Sequence, residues 1–134
     1  MSQHTATENY QSLLATVNTY FDAIYFADAS LLDVVFHHTA SLFDVDEGKI
    51  FTDPICDFRK DVDQRDAPAS IKQSRAEEEV IMIDFLSAKS AVVKLRLRAF
   101  DNIFVDHLSF VFDENNQWKI VAKVWHLEKV DKLV

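Results

Sequence analysis

Phe104 to Glu128 reads FVDHLSFVFDENNQWKIVAKVWHLE. Two runs rich in β-branched and aromatic residues flank a polar break at Asn115 and Asn116, the pattern of strand, turn and strand. In the first run Phe104, Asp106, Leu108, Phe110 and Phe112 alternate with Val105, His107, Ser109 and Val111. In the second, Trp118, Ile120, Ala122, Val124 and His126 alternate with Lys119, Val121, Lys123, Trp125 and Leu127. Strand side chains repeat with period two, so each set shares a face. Loop length then decides which sets meet. A three-residue loop, Asn115 to Gln117, places Phe112 opposite Ile120, Leu108 opposite Val124 and Asp106 opposite His126. A two-residue loop places Phe112 opposite Lys119 and Leu108 opposite Lys123. Register follows the pairing that makes one face apolar, which favours the longer loop, at the cost of an αL residue that Asn tolerates. Asp106 and His126 are then expected to face each other at the end of an apolar face.

The 134 residues form one domain by length, 1–134, able to bury roughly two thirds of the surface that the unfolded chain exposes. Hydrophobic residues make up 49% and include eleven Phe, which argues for a full core. Acidic residues outnumber basic ones 22 to 14, for a formal net charge of −8. That balance argues against nucleic acid and anionic membrane surfaces as partners, because phosphate binding needs clustered Lys and Arg. With Cys56 alone, neither an internal disulfide nor a cysteine-based zinc site can form. The single glycine, Gly48, leaves no glycine-rich loop for a dinucleotide or phosphate, and no cofactor is expected. The opening MSQHTATENY lacks a signal-peptide pattern and no apolar run approaches ~18 residues, so a soluble cytoplasmic protein is expected.

Between Thr7 and about Ala27, apolar Tyr10, Leu13, Leu14, Val17, Tyr20, Phe21 and Ile24 trace one stripe of a long helix. Asp28 suits the cap of a second, short helix reaching Phe36. His37 to Asp46 reads as a strand ending in the turn Asp46-Glu47-Gly48-Lys49, with Gly48 at positive φ. Asp53-Pro54 suits a helix start, followed by the stripe Ile55, Phe58 and Val62. Two strands follow, about Ala76 to Leu86 and Ser90 to Phe100. Glu77, Glu78, Glu79 and Asp84 of one are expected to pair with Lys94, Arg96 and Arg98 of the other. Helices ahead of antiparallel strands make an α+β fold. A curved antiparallel sheet wrapped on the N-terminal helix would enclose a conical pocket for a small apolar or aromatic ligand.

These elements, with Phe36-His37-His38-Thr39-Ala40 closing the second helix and the terminal FVDHLSFVFDENNQWKIVAKVWH, resemble the nuclear transport factor 2-like superfamily. Within it the likeness is nearest to the family called "putative lumazine-binding", in which a strand ending F-x-D-x-L-S precedes W-K-I-V-x-K. The resemblance covers nearly the whole chain and implies a cone-shaped α+β barrel, usually dimeric through its outer sheet face. It leaves activity open, since the superfamily holds isomerases, dehydratases, cyclases and non-enzymatic binders. Ketosteroid isomerase is a more distant likeness. Its helix-borne tyrosine and base aspartate match Tyr20 and Asp44. Its proton-donating aspartate falls on Leu108, a departure that argues against steroid-type isomerisation. With one residue inserted at Asn115 to Gln117, its pocket tryptophan falls on His126.

Four residues are therefore candidates for a site, each with a plainer alternative. Asp106 and His126 either act as a base with its partner, or bind a ligand's polar edge, or close the barrel mouth as a satisfied pair. Tyr20 is either a ligand contact or a core tyrosine. Asp44 is either a buried base beside Ala40 and Leu42 or a solvated strand end. No metal spacing such as H-E-x-x-H occurs, and adjacent His37 and His38 point apart in an extended chain. Val121, Trp125 and Leu127 fall on the opposite, outer face and predict a homodimer interface. Two functions follow: a small-molecule-binding protein without turnover, or an acid/base enzyme of isomerase, dehydratase or cyclase type on a cyclic substrate. In the latter, Asp44 or Asp106 would be the base, His126 its partner and Tyr20 a donor.

Overall fold

Leu13, Val17, Tyr20, Phe21 and Ile24 recur every three or four positions, and all five are buried in the computed structural model, which describes residues 6–133. They form the inner stripe of α1 (Ala6–Tyr25). Tyr10, assigned to that stripe by spacing, lies outside the core at 45% exposure. The helix ends with Ala27 at φ 47° and the Asp28 amide bonded to the Ala23 carbonyl, a left-handed cap of the kind that usually takes glycine. Asp28 starts α2 (Ala29–Val35) by accepting from the Ser30 and Leu31 amides, satisfying two of the donors a helix start leaves free.

Phe36 already belongs to β1 (Phe36–Asp46), which turns at Glu47 and Gly48 into β2 (Lys49–Pro54). Both turn residues have positive φ, 50° and 78°, as a tight twisted hairpin requires. Then come α3 (Ile55–Gln64), a 3₁₀ turn (Pro68–Ile71), β3 (Glu79–Ser87), β4 (Ser90–Ala99), β5 (Asn102–Phe112) and β6 (Trp118–Val130). The strands form one sheet in the order β2-β1-β6-β5-β4-β3. Every neighbouring pair is antiparallel except β1 with β6. Those two strands run parallel because the rest of the chain separates them, so no hairpin dictates their direction. The curved sheet packs its inner face on α1, and Ala91, Val93, Leu95 and Leu97 of β4 join Leu108 and Phe110 of β5 in one core. The expected α+β fold is the one observed. Glu77 pairs with Arg98 and Glu79 with Arg96, as the charge pattern predicts, but Glu78 pairs with Arg75 ahead of the strand.

The terminal hairpin departs from the expected register in an informative way. Its loop does contain three residues between the last bonded pair, but the Asp113 amide donates to the Gln117 carbonyl, so the loop is Glu114 to Asn116. Asp113 Oδ1 accepts from the amides of Asn115 and Gln117, and Asn116 takes the αL position at φ 59°. Phe112 consequently faces Trp118, and Phe110 faces Ile120. One residue further, Val121 is extra on β6: Ser109 pairs with Ala122, Leu108 with Lys123 and Asp106 with Trp125. This β-bulge reverses the parity of everything after it. Lys123 and Trp125 turn inward, while His126 pairs with Val105 and is exposed. Asp106 and His126 are not partners. Leu127 pairs with Phe104 and so lies on the inner side with Trp125. The expected outer cluster of Val121, Trp125 and Leu127 is thereby broken up, two of its three members facing the other way.

Candidate functional site

Inside the cone, a cavity of about 250 Å³ is lined by α1, the inner sheet face and α3, just below the usual range for ligand pockets, ~300–1,000 Å³. Its walls are mostly apolar, with Ile24, Leu42, Leu97, Phe104, Phe58 and Trp125 among them. Helical spacing puts Phe58, Asp61 and Arg65 of α3 and its end on one side of it. Asp53, paired with Leu42 across β1 and β2, shares the inward face. It makes no side-chain cap for α3, whose N-cap position is Pro54. The carboxyl of Asp53 is instead raised above its ordinary range, first by burial and then by the charges of Asp57 and Asp61.

Three polar groups meet on this apolar wall. The Tyr20 hydroxyl donates to Asp106 Oδ2 at 2.6 Å, a buried bond. Lys123 Nζ lies 3.7 Å from the same oxygen, longer than a hydrogen bond but close enough to attract. All three side chains are buried: Tyr20 at 0%, Asp106 at 1% and Lys123 at 7% exposure. Asp106 Oδ1 is buried and has no partner. The ammonium of Lys123 sits against three rings, 4.6 Å from the centroid of Phe58, 5.5 Å from Tyr20 and 6.0 Å from Trp125. Ring faces attract a cation, which offsets part of its lost hydration.

Burial sets the electrostatics. It pulls the Lys123 ammonium below its ordinary pKa of 10.5, with Arg65 adding to the shift and Asp106 opposing it. It pushes the Tyr20 phenol well above 10.0, and the neighbouring Asp106 charge adds to that rise. In both cases the low-dielectric surroundings penalise the charged form.

Of the four residues singled out from the sequence, Tyr20 and Asp106 line the cavity and touch each other. Asp44 is half-buried on β1 opposite Phe51 and is not among the lining residues. His126 lies outside, one residue beyond the inward Trp125. Sequence reasoning missed Lys123, Trp125, Asp53 and the α3 face. The discarded two-residue loop did set Leu108 against Lys123, which is where the bulge brings them. Among the described residues no cluster of three or more His, Cys, Asp or Glu is arranged to hold a metal ion, and no helix is long and apolar enough to cross a membrane.

The family model described as "Putative lumazine-binding" matches residues 8–126, from the first turn of α1 to His126 on β6. The chain belongs to this family. Its fold is that of the nuclear transport factor 2-like superfamily. An NTF-2 like protein of unknown function from Silicibacter pomeroyi superposes with a TM-score of 0.80 at 22% identity, over 93% of this chain and 100% of that one. One from Shewanella baltica, also of unknown function, gives 0.79 at 20% identity, over 95% and 99%. A ketosteroid isomerase-like protein from Erwinia carotovora atroseptica gives 0.69 at 11% identity, over 91% and 98%. No curated protein matches the sequence. At these identities the likenesses speak for the fold alone.

Proposed function

We infer that the cavity binds a small planar heterocycle whose edge presents an N–H to Asp106 Oδ1 and an acceptor to Lys123. The observation that carries this reading is the unpartnered Oδ1. A buried carboxylate oxygen without a donor costs roughly 1–3 kcal/mol or more, a cost that a ligand N–H removes. The rings of Phe58 and Trp125 supply flat apolar walls beside it, the usual surroundings of such a ligand. A pteridine-dione such as lumazine, the ligand in the family's name, carries adjacent N–H and C=O groups and serves as the probe. Saturable quenching of Trp125 fluorescence by lumazine is expected in a Trp118→Phe background. Asp106→Asn is expected to weaken it roughly tenfold to hundredfold, the loss of one hydrogen bond to a charged acceptor. Equal affinity of the two proteins would sink this reading.

The acid/base enzyme is the second reading. What supports it is the buried Tyr20–Asp106 bond beside Lys123, groups that could donate and accept a proton at a cyclic substrate. Asp106 would be its base; Asp44 and His126 have no place at the cavity wall. A homodimer through the outer sheet face, where Val124 and Val111 are exposed, remains the proposed assembly. Sedimentation as a monomer at micromolar concentration would count against it.

A further inference from the structure

Lys123 has a single ion-pair contact within a largely apolar surround. Its amine ends at a cavity wall, boxed by Phe58, Tyr20 and Trp125, with one carboxylate 3.7 Å away that is already engaged by a tyrosine hydroxyl. We propose that Lys123 is a nucleophilic amine that forms an imine with a small aromatic aldehyde or ketone held in the cavity. This goes beyond non-covalent recognition of a heterocycle and shares with it the cavity, Asp106 and Lys123.

The geometry supplies each requirement of that reaction. An ammonium is not a nucleophile, and desolvation in an apolar pocket is the ordinary way proteins release the free amine. Burial acts in that direction here. Asp106 on β5 and Arg65 act on the charge of Nζ, and Asp61 and Asp53 are the other charged residues lining the cavity. Asp106 opposes loss of the proton and Arg65 favours it.

The step balances without oxidant or reductant. The ammonium passes one proton to Asp106, and the freed lone pair attacks the carbonyl carbon. The C–N bond forms as the carbonyl π pair moves to oxygen. A second proton moves from nitrogen to that oxygen, giving the carbinolamine. Asp106 returns its proton to the hydroxyl, the C–O bond breaks, and water leaves as nitrogen's lone pair closes the C=N bond. One ammonium and one carbonyl thus become one protonated imine and one water. Tyr20, donating to Asp106 Oδ2, holds the carboxylate beside Nζ. In this role Tyr20 is a positioning residue.

The test treats the intact protein with benzaldehyde and sodium cyanoborohydride at neutral pH, followed by peptide mapping. One benzyl group per chain is expected on Lys123, forming at least roughly tenfold faster than on exposed Lys49, Lys60 or Lys72, since the cavity holds the aldehyde beside this one amine. Lys123→Arg, which keeps a cation, is expected to lose that adduct while the slow surface labelling persists. Adducts confined to surface lysines, or Lys123 labelled no faster than they are, would overturn the proposal. Lumazine titration of the same protein separates the two readings. Lumazine quenching without a Lys123 adduct ends the imine and spares heterocycle binding. An adduct without lumazine quenching supports the imine and ends the other.

Discussion

Tyr20 and Asp106, 86 positions apart in the chain, share a buried hydrogen bond of 2.6 Å at the wall of the cavity. The long α1 helix and the central β5 strand are tied at that point by polar atoms within an apolar core. Tyr20→Phe removes the donor and leaves a carboxylate oxygen buried, so a loss of about 1–3 kcal/mol is expected. Asp106→Leu strands Lys123 and Tyr20 together and is expected to cost more, about 3–5 kcal/mol. Urea unfolding of the two variants and the double variant measures both costs and their coupling. Additive losses would mean that the bond contributes nothing of its own.

Alkaline stability follows from Tyr20 as well. Its folded pKa is raised above the unfolded value of 10.0, so the folded state holds a proton that the unfolded chain releases. The contribution is full below pH 10 and is lost as pH rises from there toward the folded value. Absorbance titration should show one of the three tyrosines ionising only as the circular dichroism of the fold collapses. Tyr20→Phe should remove that late step.

Asp53 gives a prediction of the same sign at lower pH. Its folded pKa is raised from 3.8 by burial and by Asp57 and Asp61. Stability from this group is therefore present below pH 3.8 and lost as pH rises through the folded value. Asp53→Asn should raise the urea midpoint at pH 7 and leave it unchanged at pH 3. A gain of equal size at both values would assign the effect to something other than charge.

His126 and Trp125 are neighbours in sequence with opposite surroundings. His126→Ala, on the exposed side, should shift stability by no more than about 0.5 kcal/mol and leave the affinity for lumazine unchanged. Trp125→Ala removes a cavity wall and should abolish measurable binding, read by calorimetry since the reporter indole is gone.

Arg98 fastens the end of the sheet. Its guanidinium reaches Glu77, Asp131 and the carbonyls of Phe100 and Asp131. A lysine keeps the charge but cannot make that fork of bonds. Arg98→Lys should cost about 1.5–3 kcal/mol in urea unfolding and speed amide exchange at Asp131, whose N–H donates to the Asp101 carbonyl.

Most of the fold was legible in the residues because periodicity reports directly on burial. The Leu13–Val17–Ile24 stripe, the alternation of β4 and the Asp28 cap each answer to a local rule that nearby residues satisfy by themselves. The site was half legible. Tyr20 and Asp106 sit amid uninterrupted apolar spacing, so their faces followed from counting. Lys123 and Trp125 lie beyond Val121, and Asp53 lies where a helix start offered it a simpler task.

What the sequence determined alone was which residues prefer a dry face within each regular run. Only the tertiary structure decided how those runs join. A one-residue bulge carries almost no local signature: Ile120-Val121-Ala122 is as good a straight strand as a bulged one. The bulge is selected by the demand that Phe110 and Ile120 stay in the core while β6 also pairs with β1 on its other edge. That demand brings a lysine, where an imidazole was expected, to the buried carboxylate.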